Sequence, residues 1–291
     1  FAASANAVDS SGSSSAMWET ITGPDTISGC GGSSVSMAIT GGLPYSASRN
    51  AARIVTKRAI VKTMLEKNAL YVVATPIGNL SDISLRALDV LGKVDLIAAE
   101  HVQNSQHLLS AHAITTAKWV SLHQHNEMAV SEKILALLDA GKSVALITDA
   151  GTPGISDPGA ILVRLVRAQG HRVIPVPGAN AAVCAMSAAG IMNPHFLFYG
   201  FLPAKSGLRK RVLAALQSYP CTLIFYEAPH RILECVTDML AVFGPDRELT
   251  IARELTKLFE TIHTGSLLQV LHWLQADANQ QKGEFVLLLS A

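Results

Sequence analysis

"LITDAGTPGISDPG" (residues 146–159) runs an apolar strand directly into a loop that holds three glycines, two prolines and two aspartates. A strand buried on both faces reads as a short continuous apolar run, and "SVALITD" (143–149) is one. In parallel sheets ligands bind beyond the carboxyl ends of the strands. The composition of this loop therefore poses one question: what approaches its backbone so closely that side chains are removed and carboxylates kept?

The same unit recurs on both sides of it. "LYVVAT" (70–75), "VDLIAAE" (94–100), "KWVSLH" (118–123) and "HRVIPVP" (171–177) are further β-rich runs, separated by helical patterns such as "SEKILALLDAG" with its glycine stop at Gly141. Alternation of this kind predicts a mainly parallel sheet covered on both sides. Past Gly190 the order changes to "FLFYGF" (196–201), "CTLIFYE" (221–227), "ELTIARE" (248–254), "FETIHT" (259–264) and "EFVLLLS" (284–290), with helices expected after Lys205 and Pro229. Short links between neighbouring strands predict a second, mixed sheet. The chain therefore divides into a first α/β domain over 64–192 and a second over 193–291, with a boundary between Met192 and His195.

Residues 1–63 differ from the rest. They are rich in Ser, Gly, Ala and Thr and show no sustained period, so they are expected to be a disordered or artefactual extension, with Met64 the natural start. The alternative is a targeting segment, since "SASRNAARIVTKR" (46–58) is basic and contains serine.

With 49% hydrophobic residues over 291 positions, the chain has enough apolar surface for two ordinary domains. No uninterrupted apolar run reaches membrane-spanning length, so a soluble, cytoplasmic protein with no membrane partner is expected. The net charge of +1 excludes a strongly basic wrapper of nucleic acid but permits a local basic patch. Four cysteines without CxxC pairing read as free thiols, and the histidines lack zinc-ligand spacing, so no metal is expected.

Three Gly/Pro loops fall at predicted strand ends: "TPIGNLSD" (75–82), "DAGTPGISDPG" (149–159) and "PGANAA" (177–182). Glycines there let backbone groups contact a ligand, and prolines hold the loop shape in advance. Tight turn chemistry is the alternative for any one loop, whereas three on one rim point to a binding cleft. Neither GxGxxG nor GxxxxGK[ST] is present, so a conventional dinucleotide site or P-loop is not supported. Asp149 and Asp157 would repel phosphate and accept hydrogen bonds from an amine, a ribose or a cationic cofactor.

At these residues the chain resembles the tetrapyrrole methylase superfamily of S-adenosylmethionine-dependent enzymes. The resemblance covers about Leu70 to Ser290, through "TPIGNLSDIS", "DLIAAE", "HQHNE", "DAGTPGISDPG", "PGANAA", "GFLPAK", "TLIFYEAPHR", "ARELTKLFET" and "KGEFVLL" in that order. It implies two α/β domains with the cofactor folded in the cleft between them, usually in a homodimer. The branch it most resembles methylates the ribose 2′-hydroxyl of a cytidine in 16S ribosomal RNA, which makes the small ribosomal subunit the implied partner. Members usually follow "AE" with Asp-Thr-Arg, where this chain has His101, Val102 and Gln103, and the sequence ends at Ala291, ahead of the helical tail that members usually carry.

The resemblance implies that S-adenosylmethionine touches Ile77 and Gly78, Asp149, Gly151, Thr152 and Ile155, Asn180 and Ala181, and from the second domain Tyr226 and Gly283. "LPAKSGLRKR" (202–211) offers Lys205, Arg209, Lys210 and Arg211 to RNA phosphates, or forms an ordinary solvated helix face. "ARELTK" (252–257) puts Glu254, Arg253 and Lys257 at a strand end facing the cleft. There Glu254 would orient or deprotonate the hydroxyl and Arg253 with Lys257 would hold a phosphate or the developing charge, unless the three only pair with each other. In "FYEAPHR", Glu227 is a secondary candidate that could instead cap a helix. His123 and His125 are expected to make loop polar contacts.

Overall fold

The computed structural model describes residues 65–115 and 118–291, so Met64 and the expectation for residues 1–63 lie outside the described residues. The first sheet consists of β1 (Ala69–Val73), β2 (Leu96–Ala99), β3 (Trp119–Ser121), β4 (Val144–Ile147) and β5 (Arg172–Val176), in the order β3-β2-β4-β1-β5. Every pairing in it is parallel. The three inner strands are apolar throughout because both of their faces are covered. Along β1 the alternation sends Leu70 to one side and Tyr71 and Val73 to the other.

Four helices cover these faces. α1 (Leu85–Leu91) and α2 (Val102–Ala111) pack Val90, Leu91 and Leu109 on the Tyr71 side. α3 (Glu127–Asp139) and α4 (Ala160–Ala168) bury Val130, Ile134, Leu138, Leu162 and Val166 on the Leu70 side. The spacing of four along α3 lines its apolar residues into one stripe. Gly141, just past the end of α3, takes φ +80°, a conformation suited to glycine.

The second sheet has the order β6-β7-β10-β8-β9, formed by β6 (Phe196–Phe201), β7 (Thr222–Glu227), β8 (Glu248–Arg253), β9 (Thr261–Ser266) and β10 (Phe285–Leu289). β6 and β7 are parallel and the remaining pairs antiparallel, which makes the sheet mixed, as the short links predicted. α6 (Ser206–Leu216), α7 (Ile232–Phe243) and α8 (Leu267–Ala276) cover one face around Phe225, Ile251 and Leu287. The opposite face, with Ile224, Ala252, Val286 and Leu288, is covered by α5 (Ala181–Ala188) through Ala182 and Ala185. α5 follows the last strand of the first sheet in the chain yet packs on the second. Ile77, from the loop after β1, joins the same apolar cluster.

The two halves come into tight contact at Gly78. A Cβ there would lie 2.5 Å from Lys257 Cγ, 2.8 Å from Thr256 Oγ1 and 2.9 Å from the Leu255 carbonyl oxygen. Side chains can swing aside, but the carbonyl is fixed by the β8–β9 loop. Gly78→Val is therefore expected to lower stability by about 1–3 kcal/mol, the usual cost of overpacking, as read from the urea midpoint. An unchanged midpoint would mean that the halves are not in tight contact here.

Candidate active site between the two sheets

The three Gly/Pro loops do share one rim, and they are bonded to each other. Thr75 and Gly151 exchange two backbone hydrogen bonds, Thr75 N–H to the Gly151 carbonyl at 2.9 Å and Gly151 N–H to the Thr75 carbonyl at 3.1 Å. The Thr75 hydroxyl donates to the Thr148 carbonyl at 3.0 Å, and the Thr152 hydroxyl to the Ala179 carbonyl at 3.0 Å. This corrects the simplest reading of Gly151. Its backbone polar groups are engaged by Thr75, and glycine is needed for φ +82° rather than to bare the backbone to a ligand.

Glu127, the last residue of "HQHNE", holds the far end of the long loop. Its buried carboxylate accepts N–H bonds from Gly159 at 2.9 Å, Ile161 at 2.8 Å and Leu162 at 3.2 Å. A negative group on the free N–H groups at the start of α4 is the favourable arrangement at a helix N-terminus. His123 and His125 belong to the turn before it, where the His125 N–H donates to His123 Nδ1 at 3.3 Å and Asn126 Oδ1 accepts the His123 N–H at 2.8 Å.

These loops enclose a cavity of about 370 Å³ between the sheets. Ile77, Gly151, Thr152, Ile155, Asn180, Ala181 and Tyr226 all line it, and so do Asp157, Phe201, Leu255 and Val286. Asn180 caps α5 by accepting the Val183 N–H at 3.1 Å, and the Tyr226 hydroxyl accepts the Ala182 N–H at 3.2 Å. Burial pushes the Tyr226 phenol up, outweighing that bond. Asp157 is pushed up to about 6, first by burial and then by the negative charges of Glu100 and Asp149, with the Thr148 hydroxyl working the other way. Glu227 also borders the cavity, but its carboxylate accepts the Ala228 N–H at 2.9 Å and lies 3.0 Å from Arg231 Nε, so it secures the turn into α7.

A second, more open hollow of about 440 Å³ adjoins the first, sharing Ile77, Ala150 and Glu284. Gly78, Asp149 and Lys257 line this hollow and not the inner cavity. His101, which opens the segment that departs from Asp-Thr-Arg, and Asn104, just after that segment, hold the Asp149 carboxylate at 2.9 and 2.7 Å. Gly283 lines neither space. It has φ +96°, and a side chain there would collide with Glu254.

The "ARELTK" residues pair largely with the protein itself. Arg253 is buried, and its guanidinium donates to the carbonyls of Lys282 at 3.1 Å and Phe259 at 3.2 Å and to Thr261 Oγ1 at 3.1 Å. It is not placed to hold a phosphate, and it braces the β8–β9 loop. Glu254 Oε1 accepts from Lys257 Nζ and from the Glu284 N–H, both at 2.9 Å, while Lys257 reaches Glu284 at 2.8 Å. Burial raises the Glu254 carboxyl, but these partners override it and leave the group below the ordinary value, which makes it a poorer proton acceptor. Both Glu254 and Thr256 take positive φ, 51° and 66°, a strained conformation that this network holds in place.

The tetrapyrrole (corrin/porphyrin) methylase family model matches residues 69–270, from the first strand to the first turn of the helix after β9. The chain belongs to the tetrapyrrole methylase family. It is 50% identical over 220 residues to the ribosomal RNA small subunit methyltransferase I of Escherichia coli O157:H7, covering 76% of this chain and 77% of that one. The namesake from Pseudomonas aeruginosa is 50% identical over 226 residues, 78% of this chain and 80% of its own. Among solved structures, a cobalt precorrin-4 methyltransferase superposes with a TM-score of 0.57 at 18% identity over 77% of this chain and 95% of that one. A diphthine synthase does so at 0.61 and 15% identity, over 77% and 90%. Both show the shared two-domain fold.

On this tetrapyrrole methylase scaffold the basic segment divides. Lys205, Lys210 and Arg211 are exposed, but Arg209 is fully buried. Its Nε donates to Asp238 at 2.7 Å and its Nη1 to the Ala204 carbonyl at 3.2 Å, so it cannot meet phosphate and its assignment to the RNA patch is corrected. Lys210 is also partly engaged, 3.2 Å from Asp238.

Removing one partner of a buried ion pair leaves the other uncompensated and costs about 3–5 kcal/mol. Arg209→Ala is therefore expected to reduce stability by that amount in chemical denaturation; a small change would show the pair to be dispensable. For Glu254, whose folded value is depressed, the stabilising contribution is present at neutral pH and is lost as pH falls through the folded value. Glu254→Gln is expected to be about 1–2 kcal/mol less stable than wild type at pH 7, with the gap closing in acid. A gap independent of pH would remove the Lys257 pair as its cause.

Proposed function

We propose that this protein binds S-adenosylmethionine in the cavity between the sheets and methylates the ribose 2′-hydroxyl of a cytidine in 16S ribosomal RNA of the small ribosomal subunit, acting in the cytoplasm as a homodimer. The observation that carries the reading is the 50% identity, across both sheets, to relatives named for small-subunit ribosomal RNA methylation. The cavity's chemistry fits the cofactor. Its volume lies in the range of about 300–1,000 Å³ usual for small-molecule sites, and Ile77, Ile155, Leu255 and Val286 offer apolar walls to a base. Asp157 offers a carboxylate to a cation or to ribose hydroxyls. Bound there, the cofactor would supply a methyl group carried on a positively charged sulfur.

The protein's own part is positioning. Loop-to-loop hydrogen bonds fix the cavity wall, and the Glu254–Lys257–Glu284 network fixes its outer edge, so donor and acceptor can be aligned without rearrangement. With Glu254 held by a lysine and an N–H, we assign this pair to shaping the edge and not to proton abstraction. The outer hollow, adjoining the cavity, is the place for the acceptor nucleotide. Exposed Lys205, Lys210 and Arg211 are assigned to RNA phosphates. Among the described residues no helix is long and apolar enough to cross a membrane.

Incubation with methyl-labelled S-adenosylmethionine and small ribosomal subunits, beside naked RNA and tetrapyrroles, tests the reading. The label is expected in subunit RNA, in a 2′-O-methylated nucleoside that resists alkaline cleavage at its 3′ side. Label on a tetrapyrrole or a protein would move the chain to another methylase branch, and cofactor binding without transfer would make it a binding remnant.

A further inference from the structure

We propose that Asp157 is the residue by which the cavity distinguishes a positively charged sulfonium donor from the neutral thioether that remains after methyl transfer. The inference rests on the cofactor reading above and adds to it a specific residue and a direction of selectivity.

Asp157 lines the inner cavity and is half-buried. Among the described residues no lysine, arginine or histidine forms an ion pair with it. The other acids near the cavity differ from it. Glu227 is paired with Arg231, Glu284 with Lys257, and Asp149 with His101 and Asn104. Glu100, at the end of β2, and Asp149, at the end of β4, bear on Asp157 only as like charges, and Tyr226 faces it from β7 as a neutral phenol. Asp157 is thus a desolvated carboxylate in a cavity wall without a cation of its own. Such a group is costly when ionised, and a ligand that brings a fixed positive charge removes that cost.

The chemistry makes the charge transient. When the acceptor oxygen bonds to the methyl carbon, the carbon–sulfur bond breaks, its electron pair stays on sulfur, and the hydroxyl proton leaves to solvent or a base. The sulfonium becomes an uncharged thioether, while the adenosine, the amino group and the carboxylate of the ligand are unchanged. Donor and product therefore differ by one methyl group and one charge, and attraction to an ionised Asp157 favours the donor. Its loss on transfer favours release of the product.

Titration supplies a second signature. Burial and the neighbouring acids push the Asp157 carboxyl up to about 6, and a cation bound beside it would lower that value. Donor affinity is then fully present above this range and is lost as pH falls through about 6. His101 pairs with Asp149 nearby, so the pH effect is assigned to Asp157 only where it disappears with that carboxylate.

Calorimetry with S-adenosylmethionine and S-adenosylhomocysteine, on wild type, Asp157→Asn and Asp157→Glu at pH 5.5 and 7.5, tests this. At pH 7.5 Asp157→Asn should lower the donor-to-product affinity ratio about tenfold, while Asp157→Glu, which keeps the charge, should retain most of it. The wild-type ratio should fall at pH 5.5, and that of Asp157→Asn should not. A ratio unchanged in Asp157→Asn, or an equal loss for both ligands, overturns the proposal, and circular dichroism separates either from misfolding. If Asp157→Asn is misfolded, the wild-type pH comparison decides: a ratio that does not fall at pH 5.5 overturns it. Wild-type protein that binds neither ligand overturns the cofactor reading itself, a different result.

Discussion

At Gly78 the loop after the first strand comes so close to the β8–β9 loop that no side chain fits between them. This contact brings the two sheets together along one edge of the cleft. On the first-sheet side, the Thr75–Gly151 bridge and the Thr152–Ala179 hydrogen bond join three loops into one wall. On the second-sheet side, buried Arg253 and the Glu254–Lys257–Glu284 network hold two strained residues in a single shape. The cavity is what these two braced walls leave between them.

Charge is arranged with equal economy around that space. Most carboxylates near the cleft are satisfied by a neighbour, including Glu127 on three N–H groups at the start of α4. That bond set anchors the loop that carries Asp157, so a residue outside the cavity positions one inside it. Asp157 is the carboxylate whose surroundings call for a cation from elsewhere. Glu127 of "HQHNE" thus serves to hold the loop, and Asp157 of "DAGTPGISDPG" is the acid proposed to meet the ligand.

All ten strands among the described residues were legible because short apolar or alternating runs bounded by Gly and Pro are a local signal. Helices α2, α5 and α8 left weaker traces. α2 buries little besides Ser105 and Leu109, and α5, "AAVCAMSA", is made of small and apolar residues with no polar face to mark a stripe. The three-loop rim was also legible, but the purpose of its glycines was not, since positive φ and close approach look alike in a sequence. Arg209 and Arg253 misled for a related reason. A basic residue reads the same whether exposed or buried, and Asp238, which claims Arg209, lies 29 positions away, just as Gly159 lies 32 positions from Glu127. Such pairings are set by tertiary packing.

The methyl donor is proposed to sit in the cavity walled by Asp157, Asn180 and Tyr226. A crystal structure of the complex with S-adenosylhomocysteine measures this directly. Ligand density is expected in the inner cavity, with the ligand sulfur facing Asp157 and the outer hollow left open for an acceptor. Density in the outer hollow beside Asn104 and His107, with the inner cavity free of ligand, would contradict it.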